Sequence, residues 1–210
     1  MPSNKIITLS FDDGTNADRG VMERIRAVKG TATFYLCSHW ISEAIYPGVF
    51  WPEISKLYDG FEVGGHTQTH WKFCKIKEDP AEIAAGKEEV EAIIKKPLKC
   101  FAYPYGYVHD KDAVRAAGFE FARTVKQTFD IRADAGDPYE QPTSSTLNIN
   151  FATNIIQTFF EREQPIHLLG HSWQYLVAGY NTLDVLLKRM EGSGYTYLTN
   201  YEFFKETCRP

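Results

Sequence analysis

Two carboxylates stand side by side at Asp12 and Asp13, in the run Ser10-Phe11-Asp12-Asp13-Gly14 that closes an apolar segment. Each raises the cost of ionising the other, and a cation beside the pair would relieve that repulsion. The structural alternative is an Asp pair that caps a turn ahead of Gly14. Two imidazoles follow in Gly64-Gly65-His66-Thr67-Gln68-Thr69-His70. His66 and His70, four residues apart, share a face where the backbone turns helically, a usual way for two His to meet one metal. The pair is not a zincin motif, because Thr67 stands where that motif needs its Glu base. Two His and one carboxylate make a three-ligand site with positions left open for water and substrate.

Two later segments suit such a site. Tyr103-Pro104-Tyr105-Gly106 sets a tight turn, and the backbone N–H of Tyr105 could point at a developing oxyanion, a plain turn being the alternative. The run Ile166-His167-Leu168-Leu169-Gly170-His171-Ser172-Trp173 puts His171 at a strand end, a suitable place for a general acid. His167 has the same strand parity but lies deeper, and it reads as a hydrogen-bonded core histidine.

The elements that must position these groups alternate between strand and helix. Strands are expected at Ile6–Phe11, Thr31–Cys37, Phe61–Gly64, Leu98–Tyr103, Phe119–Val125, Ile166–Gly170 and Tyr195–Leu198. Helices are expected at Asp18–Val28, near Glu53–Tyr58, and over Pro80–Lys95, Lys111–Ala117, Asn150–Glu163 and Asn181–Glu191, with a short one to the C-terminus. Asp130–Thr146, with its prolines and acidic residues, reads as a surface loop. Such alternation implies parallel βαβ units and an α/β domain. A regular eight-unit barrel usually needs ~250 residues. At 210 residues the chain fits a shortened or irregular barrel, in one domain over residues 1–210.

In order, FDDG, HTQTH, the YPYG turn and the late L-x-H resemble the NodB-homology polysaccharide deacetylases, carbohydrate esterase family four. These motifs span Phe11 to His171, most of the chain. The resemblance implies an irregular (β/α) barrel of about seven strands and one divalent metal ion, often zinc. Carried over by position, Asp12 would be the general base, and Asp13, His66 and His70 the metal ligands. Tyr105 would give the oxyanion N–H, Leu169 would line the acetyl pocket, and His171 would be the general acid. Two departures stand out. Ala102 occupies the place of the motif Arg that positions the catalytic Asp, and the Asp–Trp motif that supports the acid His has no clear match between Lys126 and Thr146. Asp130, Asp134 and Asp137 are candidates for the second role. For the first, Arg123 lies at the end of the adjoining strand, where its side chain could reach Asp12.

The implied reaction removes acetyl groups from N-acetylated sugars in an oligo- or polysaccharide. An O-acetyl esterase or a non-sugar amidase would use the same residues. A non-haem iron oxygenase also takes two His and one carboxylate, but its usual jelly roll conflicts with βα alternation. A degenerate sugar-binding module would need neither Asp12 nor His171. Trp71 and Trp173, close to a ligand and to the acid, are candidate sugar platforms, with core packing as the alternative.

Net charge is −4 without a basic stripe, so nucleic acid is not an expected partner. Nor is a membrane, since no apolar run is long enough to span one. Cys37, Cys74, Cys100 and Cys208 form no CxxC pair, and most of them read as small buried hydrophobes. The N-terminus runs into Ile6 without an h-region. The expected compartment is therefore the cytoplasm as the sequence stands, or outside the cell if a leader has been trimmed. The sequence does not specify an oligomeric state. If His70 is a ligand, His70→Ala should lose stoichiometric metal and activity together, and full metal occupancy in that variant would remove it from the set.

Overall fold

The computed structural model describes residues 4–39, 51–70, 80–108, 110–134, 136–148 and 153–207. Nine strands are present among them: β1 (Ile6–Asp12), β2 (Thr33–Leu36), β3 (Glu62–Gly65), β4 (Cys100–Ala102), β5 (Phe121–Gln127), β6 (Gln141–Thr143), β7 (Ser145–Leu147), β8 (Ile166–His171) and β9 (Thr196–Tyr197). The helices between them are α1 (Asp18–Ala27), α2 (Trp51–Leu57), α3 (Pro80–Ile94), α4 (Lys111–Ala116), α5 (Thr153–Arg162), α6 (Trp173–Ala178), α7 (Asn181–Met190) and α8 (Asn200–Thr207).

The strands make one parallel sheet in the order β6-β5-β4-β3-β2-β1-β8-β7, with β9 added against β1. Its two end strands are consecutive in the chain, separated by Ser144 alone. The run Gln141–Leu147 pairs first with β5 and then with β8, so it wraps the sheet into an irregular barrel. Ser144 stitches the seam: its N–H donates to His167 O at 2.7 Å, and its Oγ accepts from His167 N–H at 2.9 Å. Counting the run once, the barrel has about seven staves.

Two expectations from the sequence need correction here. Asp130–Thr146 is not a surface loop throughout, because it contains β6 and most of β7. Pro142 lacks a ladder N–H and argues against a strand, yet each half of this run carries only a short ladder against one neighbour. Trp173–Ala178 forms a helix where none was expected. It is six residues long, too short for a clear period.

Alternation along the strands sorts the side chains into two sets. Ile7, Leu9, Phe11, Phe34, Leu36, Phe101 and Leu168 face outward and pack with Val21, Met22, Ile25, Ile83 and Val90 of the surrounding helices. On α7, Leu183, Leu186, Leu187 and Met190 recur at helical spacing and are buried in the same core. The inward set is largely polar and equally buried: Thr8, Ser10, Asp12, Thr33, His66, Arg123 and His167. At the strand N-terminal ends, α8 is tied to this interior. Asn200 N–H donates to Thr33 Oγ1 at 2.9 Å, and Asn200 Nδ2 donates to the Tyr35 hydroxyl at 2.8 Å.

Asp18, at the start of α1, is a buried carboxyl that accepts the Tyr58 hydroxyl at 2.6 Å. Burial, with the Asp13 and Asp12 carboxylates nearby, pushes it up to about 7. A carboxyl raised in the folded state stabilises the fold fully below its unfolded value near 3.8, and loses that contribution as pH rises through about 7. Relative to Asp18→Asn, the metal-free wild type should therefore lose stability between pH 4 and pH 7, by on the order of 3 kcal/mol. Denaturant melts of both proteins across that range measure the difference, and parallel curves would contradict the assignment.

Candidate active site

Asp12 is the last residue of β1, and it pairs in register with His171, the last residue of β8. Partnered residues on parallel strands present their side chains to one face, so both point into the mouth of the barrel. Asp13 follows with a φ of 84, which swings its carboxylate toward the end of β3. There Asp13 Oδ1 lies 3.6 Å from His66 Nε2 and 3.3 Å from His70 Nε2. Ligand atoms of these three residues all fall within 4.8 Å of one another.

The turns that arrange this group are strained. Asp13, Thr67, His70 and Tyr105 have φ of 84, 65, 54 and 56. A left-handed conformation costs a residue with a Cβ about 1–2 kcal/mol, so neighbouring groups must hold it. Cys37, just past β2, holds two of these turns: its N–H donates to Asp13 O at 3.3 Å, and its thiol donates to Gln68 O at 3.0 Å.

Hydrogen bonds behind the site fix which atoms face it. His66 Nδ1 lies 2.7 Å from Ala102 O. A carbonyl only accepts, so Nδ1 carries a proton, and Nε2 is the nitrogen turned toward Asp13 and His70. Asp13 Oδ2 accepts the indole N–H of Trp173 at 2.9 Å, while His171 Nε2 stands 4.0 Å from the same oxygen. Asp13 Oδ1 is buried and has no hydrogen-bond partner. An orphan carboxylate oxygen facing two imidazole nitrogens is a donor set that fits a divalent cation.

Arg123 supplies the charge that Ala102 does not. The two residues are register partners on β4 and β5. Arg123 is fully buried, and its Nη2 donates to Asp12 Oδ1. Its Nη1 donates to Thr124 O at 3.1 Å, and its guanidinium carbon lies 5.0 Å from the centre of the Tyr35 ring. Burial opposes ionisation of Asp12, but Arg123, with His66 and His171 adding, outweighs it and holds the carboxyl below the usual range. Asp13 is likewise held down against its burial, by His66, His171 and His70. Burial and the neighbouring His66 push His70 down to about 4, so it is neutral at physiological pH. For His66, burial is outweighed by Asp13 and Asp12 and the pKa rises, so Nε2 takes up a second proton more readily than a free imidazole; an ion bound at Nε2 would displace it.

Asp12, Asp13, His66, His70 and His171 open onto a cleft of about 500 Å³ that Thr15, Tyr105, Val125 and Trp173 also line. Tyr105, half exposed, sits in the turn Pro104–Gly106 with its ring centre 5.0 Å from that of His70. Trp173 is 43% exposed and sits beside His171. The structure does not bring every expected residue to the cleft. Leu169 is buried in β8 and is absent from the lining. Trp71 lies outside the described residues. His167 is buried as expected, but its Nε2 has no hydrogen-bond partner, and burial together with the Arg123 charge holds it down at about 3. Asp130 Oδ1 accepts from Ala133 N–H, Asp134 from the Thr128 hydroxyl, and Asp137 pairs with Lys111. His171 Nδ1 is buried without a partner, so none of the three supports it. Thr15 and Val125 were missed. Val125 could have been found from its parity with Arg123, and Thr15 from its place directly after the Asp-Asp-Gly turn.

Comparison with known proteins gives the family and the fold. The chain belongs to the polysaccharide deacetylase family, whose sequence model matches residues 1–122. Among curated relatives, the peptidoglycan-N-acetylmuramic acid deacetylase PdaC of Bacillus subtilis (strain 168) is 28% identical over 116 residues. That match takes in 52% of this chain and 23% of the relative, so the chain spans only about a quarter of that protein's length. The solved structure of PdaC superposes with a TM-score of 0.63 at 18% identity, covering 98% of this chain and 92% of that one. A family-four pseudoenzyme from Bacillus anthracis superposes with a TM-score of 0.60 at 17% identity, covering 96% of this chain and 66% of that one. At such identities these structures speak for the fold alone.

Removing Arg123 would strand a buried carboxylate. Arg123→Ala should cost about 3–5 kcal/mol of stability. It should also let burial raise Asp12, moving the acidic limb of the pH–rate profile to higher pH. Chemical denaturation and a pH series of kcat/KM test both effects, and an unchanged profile would show that Arg123 does not hold Asp12.

Proposed function

We propose that this protein is a metal-dependent hydrolase that removes acetyl groups from N-acetylated sugars in an oligo- or polysaccharide. The observation that carries the reading is Asp13 Oδ1, buried without a hydrogen-bond donor and facing the Nε2 atoms of His66 and His70. A divalent ion held by these three residues, with zinc the first choice, would polarise the acetyl carbonyl and make a water acidic enough to deprotonate near neutrality.

The remaining chemistry belongs to the protein's own groups. Asp12, kept ionised by Arg123, accepts a proton from the attacking water. The backbone N–H of Tyr105 stabilises the oxyanion as the carbonyl carbon becomes tetrahedral. His171, beside Asp12 in register, gives a proton to the leaving nitrogen as the C–N bond breaks. Acetate and a free amine are released. Trp173 serves the site twice, orienting Asp13 through its indole N–H and walling the cleft with its ring.

The sugar substrate is supported by the name of the Bacillus subtilis relative, a peptidoglycan deacetylase. A pseudoenzyme shares the fold, so it is the side chains Asp12, Asp13, His66, His70 and His171, and not the architecture, that support activity. Acetate release from chitin oligosaccharides, measured with and without a chelator and beside acetylated xylan, separates N-deacetylase, O-acetyl esterase and inactive module. Asp12→Asn should retain the metal and lose about 10²–10⁴ in rate. Near-normal turnover with metal bound would take Asp12 out of the base role.

A further inference from the structure

The segment His66–His70 carries two of the three candidate ligands, and its Thr67 and His70 have φ of 65 and 54. Neither residue is Gly, so the conformation persists only if the surroundings over-determine it. One side of the segment is held from the end of β2, where His39 N–H and the Cys37 thiol donate to Gln68 O at 2.8 and 3.0 Å. The other side is held by α3.

Glu82 receives the backbone N–H of Thr69 at 2.9 Å and the Thr69 hydroxyl at 3.0 and 3.1 Å, using both carboxylate oxygens. Glu89 receives Gln68 Nε2 at 2.7 Å. Between them is Gly86, a poor helix former in the middle of a helix. Its position has a steric reason. A Cβ there would stand 2.5 Å from the carbonyl carbon of Thr67 and 2.7 Å from both Thr67 O and Gln68 N. Those are backbone atoms that cannot swing aside. The spacing of 82, 86 and 89 places all three on one stripe of the helix, and that stripe meets the strained segment.

We propose that this stripe of α3 is a positioning device that sets His66 and His70 at the geometry a divalent ion requires, with Glu82 as its principal positioning residue. Glu82 draws the Thr69 amide outward, Gly86 lets the helix backbone close against Thr67, and the His70 imidazole is thereby turned toward Asp13. The proposal rests on the metal reading given above.

The test uses Co²⁺ as the probe, reading its visible absorption and its affinity by chelator competition. The proteins compared are the full-length wild type, Glu82→Ala, Glu82→Gln, Gly86→Ala and His70→Ala, with thermal unfolding of each metal-free protein alongside. Glu82→Ala and Gly86→Ala should bind Co²⁺ about 10–100-fold more weakly, the size of effect seen when groups that orient ligands are lost. Their absorption bands should also be altered. Glu82→Gln keeps an acceptor for Thr69 and should recover most of the affinity, while metal-free unfolding of Glu82→Ala stays near that of the wild type. Wild-type affinity and spectrum in both Glu82→Ala and Gly86→Ala, beside lost binding in His70→Ala, would overturn the positioning role alone. Unchanged binding in His70→Ala as well would overturn the metal reading and this proposal with it. Should Gly86→Ala fail to fold, the two Glu82 variants decide.

Discussion

The barrel interior holds a full charge pair, Arg123 with Asp12, where a protein would ordinarily place aliphatic side chains. Taking either ion out of water alone costs several kcal/mol, so neither can be there without the other. Much of the inward set follows from this pair. Tyr35 offers its ring face to the guanidinium, Thr124 O takes one of its N–H groups, and Ala102 leaves room on the register partner. His167, close enough to feel the same charge, is held neutral. The apolar core is displaced outward, between the barrel wall and the helices. The fold thus separates two tasks: the outer layer supplies cohesion and the inner one supplies charge.

This separation explains how one cleft can carry so many ionisable groups. Asp12 and Asp13 repel each other, but each is offset by a different neighbour, Asp12 chiefly by Arg123 and Asp13 chiefly by His66. One guanidinium is aimed at Asp12 Oδ1 and one indole N–H at Asp13 Oδ2. Adjacent carboxylates are thereby made unlike, and unlike groups can take unlike parts in a reaction.

Much of this was legible in the residues because strand ends announce themselves. Asp12, Asp13, His66, His70 and His171 each follow a β-rich run, and the alternation of runs and helices implied a barrel before any contact was known. Arg123 could be reached by asking what holds Asp12 once Ala102 is read in the motif position. The parts that escaped depend on contacts and not on periodicity. Gln141–Leu147 carries a proline and small hydroxyl residues, and becomes a stave only because β5 and β8 both lie within reach. Cys37 looks like a small hydrophobe until its thiol is seen on Gln68 O. Gly86 reads as a weak spot in a helix until the backbone beneath it is placed.

The pairing of β1 with β8 has a consequence for how the molecule is made. Six register partners join residues near the start of the chain to residues beyond position 165, and Asp12 with His171 is the last of them. Contacts so distant in sequence form late, because the loop they close is long. A chain emerging from the ribosome displays Asp12, Asp13, His66 and His70 well before His171 exists. Until β8 arrives, β1 has an unpaired edge on that side, the kind of edge that recruits stray strands. Completion of the candidate site and protection from aggregation thus arrive in the same event, the insertion of β8 beside β1.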